Sequence, residues 1–263
     1  PNLEATDTRA GEVLKPLSGA MPPKESTKAG ASGELPALKR PGANATATDV
    51  KSYDTKIQGA TDLYQGVVAA AGDPIAGIEA SRYRNKQIMD IVHGAIAGTG
   101  PGRDWLNKLA SVFPGSSGDP YQLAMHYLNQ NTSAALQSMG LPNTNAGAEV
   151  AAGATGNAGQ NPGVVLEVSK INDAVNTARD KFFRGMQLVT KDGNDMTRMN
   201  SFRSEFAKNF DMNALRVDDA IRRKDAEDLE VLKKQLGPDG MREARRKLKN
   251  LHWLSTRGTL PND

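Results

Sequence analysis

The chain has 263 residues, enough for one large domain or two small ones. It contains no cysteine, which excludes a disulfide framework, a thiolate zinc site and a cysteine nucleophile. With 33 basic and 30 acidic residues the net charge is +3, too balanced to mark a nucleic-acid binder by itself.

Residues 1–48 read as an extended low-complexity arm, in which Ala, Pro, Gly, Thr and Ser supply 28 of 48 residues. Prolines at 16, 22, 23, 36 and 41 forbid a long helix there. Val13, Leu14, Leu17, Leu35 and Leu38 are too few to offset the ~1–2 kcal/mol per residue of backbone ordering. By itself the arm is expected to be disordered.

From 49 the period becomes helical. Val50, Tyr53, Ile57, Ala60, Tyr64 and Val67 recur at steps of three and four, one stripe of an amphipathic helix that Gly72-Asp73-Pro74 stops. A helix over about 75–97 follows, with Ile78, Ile88, Met89, Val92, Ala95 and Ile96 facing inward. The glycines at 98, 100 and 102 break it. Arg103–Phe113 predicts a short helix with Trp105, Leu106, Leu109 and Phe113 inside. Asp119-Pro120 reads as an N-cap followed by Pro at the first helical position, opening a helix to about 139. Gly140 and Pro142 end it, and Asn129–Thr132 is a candidate interruption.

In 145–163, Ala, Gly and Asn supply 14 of 19 residues, which predicts a linker between helical regions 49–144 and 164–263. Val168, Ile171, Val175, Ala178, Phe182 and Val189 then alternate by three and four over about three heptads, with Gly185 where a large residue is due. Asp192–Asp195 predicts a turn, with Asp195 as the next cap. Met199, Phe202, Phe206 and Phe210 form a short stripe. Ala214, Val217, Ile221, Leu229, Leu232 and Leu236 continue on one or two helices to Gly237-Pro238. A final helix covers about 239–254, with Met241, Ala244, Leu248 and Leu251 inward. No stretch has a persuasive period of two. The expected fold is all-α, a multi-helix body with a long N-terminal arm and an Ala/Gly-rich linker.

No enzyme motif emerges. The glycines at 98–102 lack the strand and the G-x-G-x-x-G spacing of a dinucleotide site and the Lys-Ser/Thr of a P-loop. Gly115-Ser116-Ser117-Gly118 departs from G-x-S-x-G, because Asp119 sits where the last Gly belongs. Asp192, Asn194 and Asp195 miss the EF-hand spacing. Asp218-Asp219 and Glu227-Asp228-Glu230 lie among Arg222, Arg223, Lys224, Lys233 and Lys234, which predicts a solvated, charge-laced face rather than a catalytic dyad. His93 and His126 read as half-buried structural histidines, and the three histidines are too far apart in sequence to suggest a metal site. No catalytic residue, metal or cofactor is expected. No apolar run approaches the ~18 residues of a membrane span, and no signal peptide is recognised. Pro1 fits either removal of an initiator Met or a processed start.

One segment is asymmetric in charge. Residues 239–263 carry Arg242, Arg245, Arg246, Lys247, Lys249 and Arg257 against Asp239, Glu243 and Asp263, with His252 and Trp253 closing the helix. A basic amphipathic helix can contact a polyanion or an acidic partner, through Arg242, Arg245, Arg246, Lys249 and Trp253. The plainer reading is a solvated face with basic residues that suit the helix C-terminus. A single tryptophan gives no basis for sequence-specific base reading.

The organisation is that of a Pro/Gly/Ala-rich arm followed by Ala/Gly-punctuated helices. The segment Ile78-Glu-Ala-Ser-Arg-Tyr-Arg-Asn85 leads one helix, and Asn161-Pro-Gly163 opens the long helix Val164–Val189. The Met/Phe helix Met199–Phe210 comes next. Over about 75–215 this pattern resembles the C-terminal part of internal virion proteins of tailed bacteriophages, structural or ejected proteins near the portal and short tail. The resemblance implies a non-enzymatic virion component, inside the capsid or at the head–tail interface, and in the host cytoplasm during assembly. It also implies homo-oligomerisation, portal or tail proteins as partners, and non-specific contact with DNA. Such proteins are often much longer and some carry lytic domains; no lytic motif is found here. Two other readings stand beside it. One is a helical adaptor or secreted effector that binds another protein. The other is a peptidoglycan-cleaving enzyme, which would hang on Glu79, two residues before Ser81.

Overall fold

The computed structural model describes residues 33–69, 74–98, 104–141 and 160–261. Eight helices are found among them: α1 (Ala47–Ala69), α2 (Pro74–Ala97), α3 (Asp104–Ser111), α4 (Pro120–Ser138), α5 (Pro162–Thr190), α6 (Met199–Asn209), α7 (Met212–Arg223) and α8 (Ala226–Arg257). The fold is all-α. Among the described residues the only extended pairing is an isolated antiparallel bridge between Glu34 and Thr259. Most of the predicted linker, and residues 1–32 of the arm, lie outside the described residues.

Local chemistry sets most helix ends. Thr46 and Asp49 satisfy each other's backbone N–H groups at the start of α1, at 3.2 and 3.0 Å. Asp119 accepts from Tyr121 N ahead of Pro120, as expected. Asn161, Asp211 and Asp225 cap α5, α7 and α8 in the same way. Helix α4 ends in a Schellman closure, with Gly140 at φ +66°, Leu141 N donating to Leu136 O at 3.0 Å and Gly140 N to Gln137 O at 2.9 Å. The rod of α8 is broken at Gly237 (φ 63°, ψ −178°), so the expected boundary before Pro238 is a sharp kink between two helical segments.

Helix α5 is the hub. It packs against α2 and α4 on one side, against α7 and α8 on another, and touches α6. Every residue from 168 to 178 is buried, so this helix has no solvent stripe along its middle. Of three apolar clusters, two include it. The largest joins Leu136, Phe182, Met186, Phe202, Phe206 and Leu254. A second joins Ile88, Val92, Trp105, Leu109, Leu128 and Val168. A small third cluster, Val217, Ala220, Leu232 and Met241, belongs to α7 and α8 alone. Elements from both sides of the predicted linker share the first two clusters.

Several expectations are corrected. Helix α4 runs unbroken through Asn129–Thr132, where the Thr132 hydroxyl donates back to Leu128 O at 2.9 Å. Asp195 does not cap α6; it accepts from Thr197 N and Oγ1 in the preceding turn, and the N-cap Arg198 makes no side-chain cap bond. Val50, Ile96 and Ile221, expected inside, are 43%, 50% and 56% exposed. They lie at the edges of stripes whose partners cover only the middle.

The last part of the arm, 33–46, docks on the chain's own body. Leu35 is buried in the largest cluster. Leu38 N donates to Thr197 O at 2.8 Å, Leu260 N to Gly33 O at 2.9 Å, and the Ser201 hydroxyl to Pro36 O at 2.6 Å. The apolar count underestimated this segment because main-chain partners and one deeply seated leucine hold it.

Candidate functional site

Two concentrations of polar chemistry exist among the described residues, one buried and one exposed. The buried one runs along α5. Asn172 Nδ2 donates to Leu128 O and Thr132 Oγ1, both at 3.1 Å. Asn176 Nδ2 donates to Asn172 Oδ1 at 3.0 Å and Ser81 Oγ at 3.1 Å, and Asn131 Nδ2 also reaches Ser81 Oγ at 3.0 Å. Asn85 Nδ2 donates to Ser169 O at 2.8 Å. This ladder ties α2, α4 and α5 together. Asn85 Oδ1 and Ser169 Oγ find no partner among the described groups.

Around the same helix the ladder passes into an ionic network. Lys170 lies 3.2 Å from Glu167 and 3.4 Å from Asp228. Arg216 meets Glu167 at 3.0 Å, and Lys181 meets Asp218 at 2.6 Å. Arg222 bridges Asp173 and Asp219. Arg223 binds Asp219 at 2.7 Å, Asp225 at 3.0 Å and Asp228 at 3.0 Å. Of the acids expected on a solvated face, Glu227 and Glu230 are exposed and Asp218 is half-buried, but Asp219 and Asp228, 2% and 7% exposed, are buried between α5, α7 and α8. Burial pushes the Asp219 carboxyl up to about 6, with Asp173 adding to the rise and Arg223 opposing it. Asp225 is held below its ordinary value. Burial works against this, but the Asp228 N–H, Lys170 and Arg223 prevail. Each carboxylate here is engaged by a cation, so the arrangement joins elements and offers no free general base.

The exposed concentration is the outer face of α8. Arg242, Arg245, Arg246 and Lys249 are all exposed, and Trp253 is half-buried. Positions 242, 245, 246, 249 and 253 share one helix face. Met241, Ala244, Leu251 and Leu254, on the opposite face, are buried. Arg242 pairs with Asp239, and Arg246 reaches Glu243 at 2.6 Å. Lys247 turns away to Asp211 at 2.7 Å. The Arg257 guanidinium lies 4.0 Å from the Trp253 ring centroid. The five residues singled out in sequence are thus brought onto one surface.

The remaining sequence candidates do not converge. Glu79 is exposed on α2, whereas Ser81 is buried in the polar ladder. His93 and His126 are exposed rather than half-buried, because each points off the edge of its apolar stripe. Gly115 and Gly118, at φ +78° and +147°, serve the turn between α3 and α4. Residues 99–102 of the glycine cluster lie outside the described residues. Among the described residues no group of three His, Cys, Asp or Glu is placed to hold a metal ion. None of the described helices is long and apolar enough to cross a membrane. A hollow of about 330 Å³ lies between Leu38–Pro41 and α1, and another of about 360 Å³ is lined by Arg184, Gln187, Leu188, Lys191 and Asp192. Asp49, Ser52, Tyr53 and Lys56 line the first, and among the described residues no hydrogen bond joins the Ser52 hydroxyl to Asp49 or Lys56. Comparisons with family models, with curated proteins and with solved structures find no match.

Proposed function

We propose that the chain is a non-enzymatic structural protein of a bacteriophage virion, internal and near the portal or tail, that assembles through helical packing and its N-terminal arm. The observation that carries this reading is the root of the arm. Gly33, Glu34, Leu35, Pro36 and Leu38 are held by Thr197, Ser201 and residues 259–260, so the 32 residues before them start from a fixed point on the body. An arm that serves a neighbour needs such an origin. The weak burial of α1 supports the same reading: among its described side chains only Ala60 is buried, and Val50 and Val68 are 43% and 41% exposed. A second copy laid on α1 would bury more apolar area, at ~25 cal/mol per Å². The phage setting rests on the resemblance in organisation over about 75–215.

Light scattering after size exclusion, at low and high salt, tests the assembly. A defined multiple of 28.1 kDa is expected for the full chain, falling when residues 1–32 are removed. A monomer at both salts overturns self-assembly and puts the adaptor reading first. A cell-wall clearing assay of the wild-type chain is expected to be blank; clearing abolished by Glu79→Gln would restore the enzyme reading.

A further inference from the structure

We infer that the outer face of α8 from Arg242 to Arg257 binds the phosphate backbone of duplex DNA without reading its sequence. The kink at Gly237 makes the segment after it a separate helical segment. Its cations at 242, 245, 246, 249 and 257 form a row about 22 Å long, at 1.5 Å per residue. Arg245 and Lys249 are exposed and make no ion pair among the described residues. They stand in the middle of the row, with Arg257 at its end.

Three kinds of polyanion could sit on such a row, and the structure favours one. A bilayer surface holds a helix firmly when an apolar face inserts beside the charges, and that face of α8 is spent on the chain's own core through Leu251 and Leu254, which leaves a bilayer only the charge attraction of a few cations. A protein partner needs a desolvated apolar or aromatic anchor at the centre of its interface. The one aromatic here, Trp253, is already covered by Arg257. A phosphate backbone can be held by charge alone. With the indole engaged in this way, nothing on the row is left to stack on a base, so sequence preference is not expected.

The inference rests on α8 alone. It adds a partner to the proposed assembly role, and the mass measurement above can fail without affecting it. The test is fluorescence anisotropy of the full chain with two labelled 24-base-pair duplexes of unrelated sequence, between 50 and 200 mM KCl. With Arg245, Lys249 and Arg257 engaged, log K should fall against log salt with a slope of about −2.7, an affinity loss of about 40-fold over that range. Both duplexes should bind alike. Arg245→Ala with Lys249→Ala should reduce the slope to about −0.9 and weaken binding at least ~10-fold at 50 mM, with unchanged circular dichroism. Lys51→Ala with Lys234→Ala, which removes two exposed cations from elsewhere, should change affinity less than ~2-fold. Undetectable binding at 50 mM, or an equal loss in both double variants, overturns the inference. So does binding of a polyglutamate peptide or a phosphatidylserine vesicle as tight as that of the duplexes.

Discussion

Gly185 shows how closely single residues are constrained. A Cβ there would lie 2.6 Å from Phe202 Cε2 and 2.7 Å from Leu254 O, so the absent side chain lets α6 and α8 close on α5. Gly185→Ala should destabilise the fold by about 2 kcal/mol through overpacking, read from the urea midpoint. The break in the 3-4 alternation at 185 was visible in the sequence; the atoms that require it were not. Asp219 is the second case. Its carboxyl, raised to about 6 chiefly by burial, is protonated in the folded chain before the unfolded one. Stability linked to this group therefore rises as pH falls from about 7 towards 4, and is lost as pH climbs through about 6. Asp195 and Asp225, whose carboxyls are held low, act oppositely: their contribution is present above the ordinary carboxylate range and is lost as pH falls below it. Asp219→Asn should flatten the slope of unfolding free energy between pH 4 and 7; an unchanged slope would place its source elsewhere. Arg223→Ala should cost about 3 kcal/mol at pH 7, since it strips a shared cation from Asp219, Asp225 and Asp228.

Among elements, α5 and the 33–46 segment depart most from their sequence patterns. The stripe from Val168 to Val189 predicted a helix with one inner face, yet α5 is enclosed on every side along its middle. Ser169, Asn172, Asp173, Asn176 and Thr177 look like a solvent face by residue type. Most of their polar groups are instead paired with α2, α4 and α7, which lowers the cost of burying them. Hydrophobic periodicity registers where apolar residues fall and cannot register whether a polar one will find a partner. The 33–46 segment is the converse. Its composition is that of an unfolded chain, and its order comes from Leu35 and from backbone groups that carry no signature in residue type. Leu35→Ala should cost about 3 kcal/mol as a cavity in the largest cluster. Proteolysis should then cut near Gly33 sooner than in the wild type; equal cutting rates would mean that the backbone bonds alone hold the segment.

In the whole molecule the apolar and charged seams divide the labour. α2, α3 and α4 meet α5 through two large apolar clusters and the asparagine ladder. The far half of α7 and the near half of α8 carry their own small cluster and reach α5 through Lys170, Asp173, Arg216, Arg222 and Asp228. The residues proposed for partner contact were legible, because an exposed basic stripe on a helix follows from spacing alone. The sequence by itself determined the helical class, nearly every helix and most of its ends, since period, caps, Gly and Pro act within a few residues of one another. Only the tertiary structure decided that α5 is the buried hub, that Asp219 of α7 and Asp228 of α8 lie inside, and that the root of the arm folds back on its own chain. Those outcomes depend on partners 40 to 165 positions away, as in the bonds from Asn172 to Thr132 and from Ser201 to Pro36, and no local pattern encodes a partner at that distance.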